Sequence, residues 1–186
     1  MQLEDNERDL IQAAQEGDRS AFARIYEMHA GRVYRYLLRH LGNSADAEDV
    51  TAEVFVAAMR ALHSYRAKGS PLIAWLLRIA HNKSVNYLKK ITRRREVPIL
   101  DNIAVSDDLE ENLLKKAMLS ETSQAMKSLT ALQREVLILR FGEDLSLAET
   151  AKVMNRSVRA VKFLQYSALR ALRRRLCTDE EQEHDR

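Results

Sequence analysis

Apolar residues recur at helical spacing along most of the chain. Leu10, Ile11 and Ala14 form a stripe that stops at Gly17-Asp18, and Phe22, Ile25 and Tyr26, then Val33, Tyr36, Leu37 and Leu41, carry the pattern on to Gly42-Asn43. Ser44 is placed to cap the next helix, with Ala47, Val50, Val54, Ala57 and Ala61 on one face and Asp46, Asp49 and Glu53 on another. Three carboxylates at that spacing make one exposed stripe, suited to a basic partner or to plain solvation. Gly69 and Pro71 mark a loop after Tyr65. A further helix then builds on Trp75, Leu76, Ile79, Val85 and Leu88 and ends in the basic run Lys89, Lys90, Arg93, Arg94 and Arg95. Trp75 reads as core.

The pattern fails over 98–111, where large apolar residues are few and Asp101, Asp107, Asp108, Glu110 and Glu111 accumulate. This stretch reads as an acidic linker. The periodicity resumes near Leu119 and runs through Leu132, Val136, Leu137 and Leu139 to Gly142. Two short helices follow, separated by a turn at Asn155-Arg156-Ser157. Ser146 with Glu149 three residues on makes a capping box, Ser157 opens the second helix, and the interval between them is that of a helix-turn-helix. On the second helix Val161, Leu164, Ala168 and Leu172 share a packing stripe, which leaves Arg159, Lys162, Phe163, Tyr166 and Arg170 on the open face. Arginine and lysine suit phosphates or guanine edges, and either aromatic ring suits a thymine methyl. A helical hairpin with a basic solvent face fits the same pattern.

The expected fold is therefore all-α: two small helical domains joined by a flexible acidic linker, the second a helix-turn-helix domain. With only 5 Gly and 2 Pro in 186 residues, the chain has little material for the turns of a sandwich or barrel. Apolar runs such as 72–77 fall far short of the roughly 20 residues that span a bilayer. No membrane insertion is expected. The acidic N-terminus is unlike a signal peptide, so a cytoplasmic location is expected. A single cysteine, Cys177, excludes an internal disulfide, and no metal site or cofactor is expected because the five His have no ligand partner at metal spacing.

The formal charge of +3 hides a strong segregation. Residues 1–53 are net acidic, whereas 54–95 hold 10 basic and no acidic side chains and 152–175 hold 8 basic and none acidic. Two acid-free blocks, separated by an acidic stretch, are two candidate surfaces for a polyanion.

Four strings in order resemble the extracytoplasmic-function (ECF) sigma factors, the two-domain sigma subunits of bacterial RNA polymerase. They are Gly17-Asp18-Arg19-Ser20-Ala21-Phe22, the stretch from Asp46 to Phe55, the stretch from Trp75 to Asn82, and Leu132-Gln133-Arg134-Glu135-Val136-Leu137 with the helix-turn-helix after it. The resemblance implies sigma region 2 at 1–92, a linker at 93–118, sigma region 4 at 119–178 and an acidic, disordered tail at 179–186. It implies core RNA polymerase and promoter DNA as partners and leaves room for an anti-sigma factor. Asp46, Asp49 and Glu53 would bind core polymerase. Tyr65, Arg66, Ile79, Asn82, Lys83 and Asn86 would take the minus-ten element, where an aromatic ring can stack on an unpaired base and an asparagine can read its edge. Arg159, Lys162, Phe163, Tyr166 and Arg170 would take the minus-thirty-five element. The implied function is promoter-specific initiation including minus-ten melting, without catalysis. A stand-alone helix-turn-helix regulator and a helical adaptor are the rivals, and the adaptor leaves both acid-free blocks unexplained. An enzyme has the least support, because no Gly-rich phosphate loop, nucleophile elbow or HExxH motif is present.

Overall fold

The Gly17-Asp18 break ends the first helix because Gly17 takes a left-handed conformation (φ 101°) and Asp18 starts a new cap. The Asp18 carboxylate accepts from the backbone N–H of Ser20 at 2.7 Å and of Ala21 at 3.3 Å. In the computed structural model, residues 2–67, 69–95, 126 and 128–183 are described, with side chains over 7–67, 69–91, 126 and 128–175. Among them every regular element is helical. The chain forms two compact units, Met1–Ile99 and Leu100–Arg186.

The first unit holds α1 (Gln2–Gln15), α2 (Arg19–Leu41), α3 (Ser44–Ala61), a single 3-10 turn (Leu62–Ser64) and α4 (Leu72–Arg95). Helix α2 packs against the other three. Its apolar stripe supplies Ile25, Val33, Tyr36 and Leu37 to a core completed by Val50 and Val54 of α3 and Leu72, Leu76 and Leu77 of α4. Gly42 closes α2 in the left-handed region (φ 70°), donating its N–H to the Leu38 carbonyl. The residue that caps α3 is Asn43, not Ser44 as the sequence suggested. Asn43 has the extended backbone that a capping residue needs, and its side-chain oxygen accepts the Asp46 N–H at 3.0 Å. Ser44 is already inside the helix.

The second unit holds α5 (Ala131–Leu137), a wide π turn (Ile138–Gly142), α6 (Leu147–Val153) and α7 (Val158–Glu183). Helix α7 packs against both α5 and α6. Leu129, Leu137 and Ala168 form a buried cluster with Met126, Ala171 and Leu172 against it, and Val136, Leu139, Leu145, Val153 and Val161 are buried as well. Reciprocal capping boxes start α5 (Thr130 with Gln133) and α6 (Ser146 with Glu149). The sequence reading carried one helix to Gly142, but the last turn widens, with Glu143 N–H reaching back to the Ile138 carbonyl at 3.0 Å.

Helix α7 also runs further than expected. The acidic segment from residue 179, expected to be disordered, continues the helix to Glu183. No Gly or Pro follows Gly142, so nothing in the backbone stops it. The expected linker at 93–118 lies, after Arg95, outside the described residues, as does the start of the second domain at 119–125.

The turn between α6 and α7 has the 6→1 hydrogen bond and left-handed residue of a Schellman-type cap. Arg156 N–H bonds to the Ala151 carbonyl at 2.9 Å, and Asn155 sits in the left-handed region at φ 52°. Asn155→Val is expected to destabilise this unit by about 1–2 kcal/mol, because a β-branched side chain resists that conformation. Asn155→Gly is expected to change little. Urea melts of the two variants check this, and coincident midpoints would mean that the turn imposes no conformational demand.

Candidate nucleic-acid interface

Ser157 holds the first turn of α7 by accepting the Ala160 N–H at 3.2 Å. Val161 and Ala168 then point into the core and Leu164 is half-buried, which turns Arg159, Lys162 and Arg170 outward. Phe163 and Tyr166 join them with 69% and 65% of their surface exposed. All five residues singled out in the sequence thus share one solvent-facing side of α7. Side chains from earlier in the unit brace that helix. Gln133 Nε2 donates to Ser167 Oγ at 3.1 Å, and Arg140 Nε donates to Gln165 Oε1 at 3.0 Å. Arg140 also bonds to the Leu145 carbonyl and lies 6.0 Å from the centre of the exposed Phe141 ring. Gln133 and Arg140 escaped the sequence reading because their partners lie 34 and 25 residues away.

In the first unit, Asp49 and Glu53 are exposed on α3 and Asp46 is half-buried in its first turn. Glu53 does not stand free. Its carboxylate meets Lys83 Nζ of α4 at 2.8 Å, joining two residues that the sequence reading had assigned to different surfaces. Between the helices runs an open groove of about 380 Å³ lined by Asp49, Ala52, Glu53, Val56, Ala57, Arg60 and Lys83. Asn82 and Asn86 are exposed on α4, four residues apart on one face, and Ile79 is half-buried. Arg66 is exposed and donates to the carbonyls of Tyr65 at 2.9 Å and His63 at 3.2 Å.

Tyr65 is placed differently from the stacking platform expected of it. Only 8% of it is exposed, its ring lies 4.9 Å from Trp75, and its hydroxyl donates to the Ser70 carbonyl at 3.3 Å. Burial, together with the nearby Glu7 carboxylate, pushes its phenol pKa up. A ring held this way shapes the loop after it and leaves no face for a base. Trp75, half-buried against it, belongs with the packing as expected.

A contact that no sequence signal announced links α1 and α2 in the same unit. Glu7 of α1 meets the buried His29 of α2 at 2.8 Å. The hydrogen bond from His29 holds the Glu7 carboxyl below its ordinary 4.5, against the opposing effect of burial, and the Leu72 backbone N–H at the start of α4 adds to it. Because the folded value is depressed, the contribution of Glu7 to stability is fully present above about pH 4.5 and is lost as pH falls through the lower, folded value. Glu7→Gln is expected to remove that part of the acid limb. Thermal melts of both proteins from pH 6 downward read it, and parallel acid limbs would deny Glu7 this role.

Two helical units, one displaying a capped helix that follows a tight turn and presents basic and aromatic side chains, define a DNA-binding protein of the helix-turn-helix class. Residues 25–95 match the family model for Sigma-70 region 2, and residues 125–174 match that for Sigma-70, region 4. The chain belongs to the ECF RNA polymerase sigma factor family. It is similar to the ECF RNA polymerase sigma factor SigM of Bacillus subtilis, with 32% identity covering 84% of this chain and 97% of that protein. It is also similar to BldN of Streptomyces coelicolor, at 37% identity over 92% of this chain, and there it spans 66% of the relative's length. Among solved structures, CnrH in complex with the cytosolic domain of CnrY aligns with a TM-score of 0.66 and 26% identity, covering 94% of this chain and 99% of that one.

Proposed function

We propose that the chain binds core RNA polymerase, directs it to particular promoters and helps to melt the minus-ten element. In this reading residues 1–92 bind polymerase and handle the minus-ten element, 93–118 link the two domains, and 119–178 read the minus-thirty-five element. The observation that carries it is the exposed side of α7, where Arg159, Lys162, Phe163, Tyr166 and Arg170 all face solvent on a helix braced from behind. Asn82 and Asn86 supply donors and acceptors for an unpaired base edge in the first unit. The chain's part is binding and strand separation, with no bond-making step of its own. An anti-sigma factor is a further partner in this reading, and the complex of CnrH with the cytosolic domain of CnrY supports a protein ligand on this fold. Transcription with core polymerase, with and without the chain, followed by start-site mapping across a genome, tests the proposal. Start sites that do not depend on the chain would defeat it.

The polymerase contact has its own test. Asp49 is exposed, so Asp49→Arg is expected to weaken core binding while changing fold stability by no more than about 0.5 kcal/mol. Adding Asp46→Arg weakens binding further. It also places a cation in the first turn of α3, where the helix dipole makes it cost about 0.3–1 kcal/mol. Titration of labelled chain with core polymerase reads the affinity, and an unchanged value for Asp49→Arg would remove this face from the interface.

A further inference from the structure

The loop between α3 and α4 is held at both ends by one helix that is not adjacent to it in sequence. At its entry, Gln15 of α1 donates through the same Nε2 to the carbonyls of Leu62 at 2.9 Å and Tyr65 at 3.0 Å. At its exit, the Glu7 carboxylate, itself fixed by His29 at 2.8 Å, lies close enough to the backbone N–H of Leu72, the first residue of α4, for that group to help hold its pKa down. A carboxylate at that helix start also meets the positive end of the helix dipole. Glu7 and Gln15 are eight residues apart on α1, about 12 Å along its axis.

Between these anchors the described residues of the loop bury little surface. Arg66, Ala67, Gly69 and Pro71 are exposed, and Gly69 is left-handed at φ 72°. Among its described residues run a turn bond from Ser70 N–H to the Ala67 carbonyl at 2.7 Å, the Tyr65 hydroxyl bond to the Ser70 carbonyl, and the Arg66 bond to the Tyr65 carbonyl, an oxygen that Gln15 also reaches. Its apolar contact is Tyr65 against Trp75. A short exposed segment with so few internal contacts takes its shape from its end points. The Gln15 contacts go to main-chain oxygens alone, so they set where the backbone runs and add little buried area.

We infer that Gln15 and Glu7 are positioning residues that set the path of the 65–71 loop and, through it, which base the loop accepts at the minus-ten element. This rests on the reading, proposed above, that residues 1–92 handle the minus-ten element, and takes the loop through its exposed Arg66 as part of that surface. Neither side chain touches DNA in this account. Each acts through backbone groups of Leu62, Tyr65 and Leu72, and a change in either moves the loop as a whole.

The test uses the full chain bound to core polymerase and a single-stranded non-template oligonucleotide randomised across the minus-ten element, with bound and unbound pools sequenced. Gln15→Glu sets a carboxylate against two carbonyl oxygens, and Glu7→Gln removes the charge at the start of α4 while keeping the shape. Each is expected to flatten the preference at one position by about fivefold, the scale of one net hydrogen bond, with core affinity unchanged. Gln15→Lys restores a donor and is expected to recover the preference, which a purely structural loss would not do. Thermal melting of each variant shows that it is folded, and should Gln15→Glu fail to fold, Glu7→Gln and Gln15→Lys still read the effect. A loop variant, Arg66→Ala with Ala67→Gly, separates the two ideas. If it alters the preference while the α1 variants do not, the positioning role is overturned and the minus-ten reading stands. If it leaves the preference intact, the loop does not read DNA and both fall. An equal loss at every position in the α1 variants would also overturn the inference.

Discussion

Tyr36→Ala is expected to cost about 3–5 kcal/mol, the range for deleting a buried ring, and to lower the melting transition of the first unit while the second keeps its own. Tyr36 is fully buried on α2, the helix that touches α1, α3 and α4, and its ring stacks on His40 at 4.8 Å. The hole left behind has no mobile neighbour to fill it, because Ile25, Val33 and Leu37 of the same stripe are already fixed against the other helices. A domain of this size is stable by only about 5–15 kcal/mol, so the loss consumes a large part of the margin. Tyr36→Phe keeps the ring and is expected to cost much less. Calorimetry of the full chain reads the result as one transition lowered and one unchanged. If both transitions moved together, the two units would be unfolding as one, and a mutational cost could not be assigned to either alone.

Arg159→Ala is expected to relax base preference at one position of the minus-thirty-five element by about 1–3 kcal/mol, roughly 5- to 150-fold, and to leave other positions alone. Arg159 is the second residue of α7, and it is exposed beyond the Ser157 cap. The start of a recognition helix is where side chains reach base edges, and the planar guanidinium can donate twice to one guanine. Lys162 sits one turn further along the exposed face and offers a single ammonium. Lys162→Ala is therefore expected to weaken binding alike on all sequences. Binding of each variant to a duplex library randomised across the element decides between the two roles. An Arg159→Ala profile that matches wild type would show that Arg159 contacts only phosphate.

What could be read from the sequence was whatever depends on near neighbours. The stripe Val161, Leu164, Ala168 and Leu172 points inward by helical periodicity alone, so the outward set on α7 followed without a structure. The Ser146–Glu149 capping box is a three-residue interval and stands as read. Asn43 and Ser44 are equally good caps by chemistry, and only the backbone angles of the turn choose between them. The widened turn at Ile138–Gly142 keeps apolar residues at plausible helical spacing, so periodicity did not reveal it. Tyr65 looked available for stacking because a lone aromatic beside a Gly-Pro loop carries no sign of which way it faces, and Trp75, ten residues on, decides that. The contacts of Glu7 with His29, Gln15 with Tyr65, and Glu53 with Lys83 span 22, 50 and 30 residues. They depend on how helices are packed, which no local pattern encodes.

The Glu53–Lys83 pair changes how the first basic block counts towards DNA binding. By sequence, 54–95 is free of acid, yet Lys83 already has a carboxylate from the preceding helix at 2.8 Å. A lysine that meets DNA from bulk solvent releases condensed counterions from the phosphate it neutralises and steepens the salt dependence by about 0.9 in log–log terms. Lys83 must first leave Glu53, and the carboxylate it leaves gathers cations of its own, which offsets the release. Its contribution to the salt slope is correspondingly smaller than that of an unpaired lysine. An exposed pair of this kind contributes about 0–1 kcal/mol, so the exchange is easy to make. On the reading proposed above, the salt dependence of DNA binding by the 54–95 block therefore reports fewer charges than the block's ten lysines and arginines suggest.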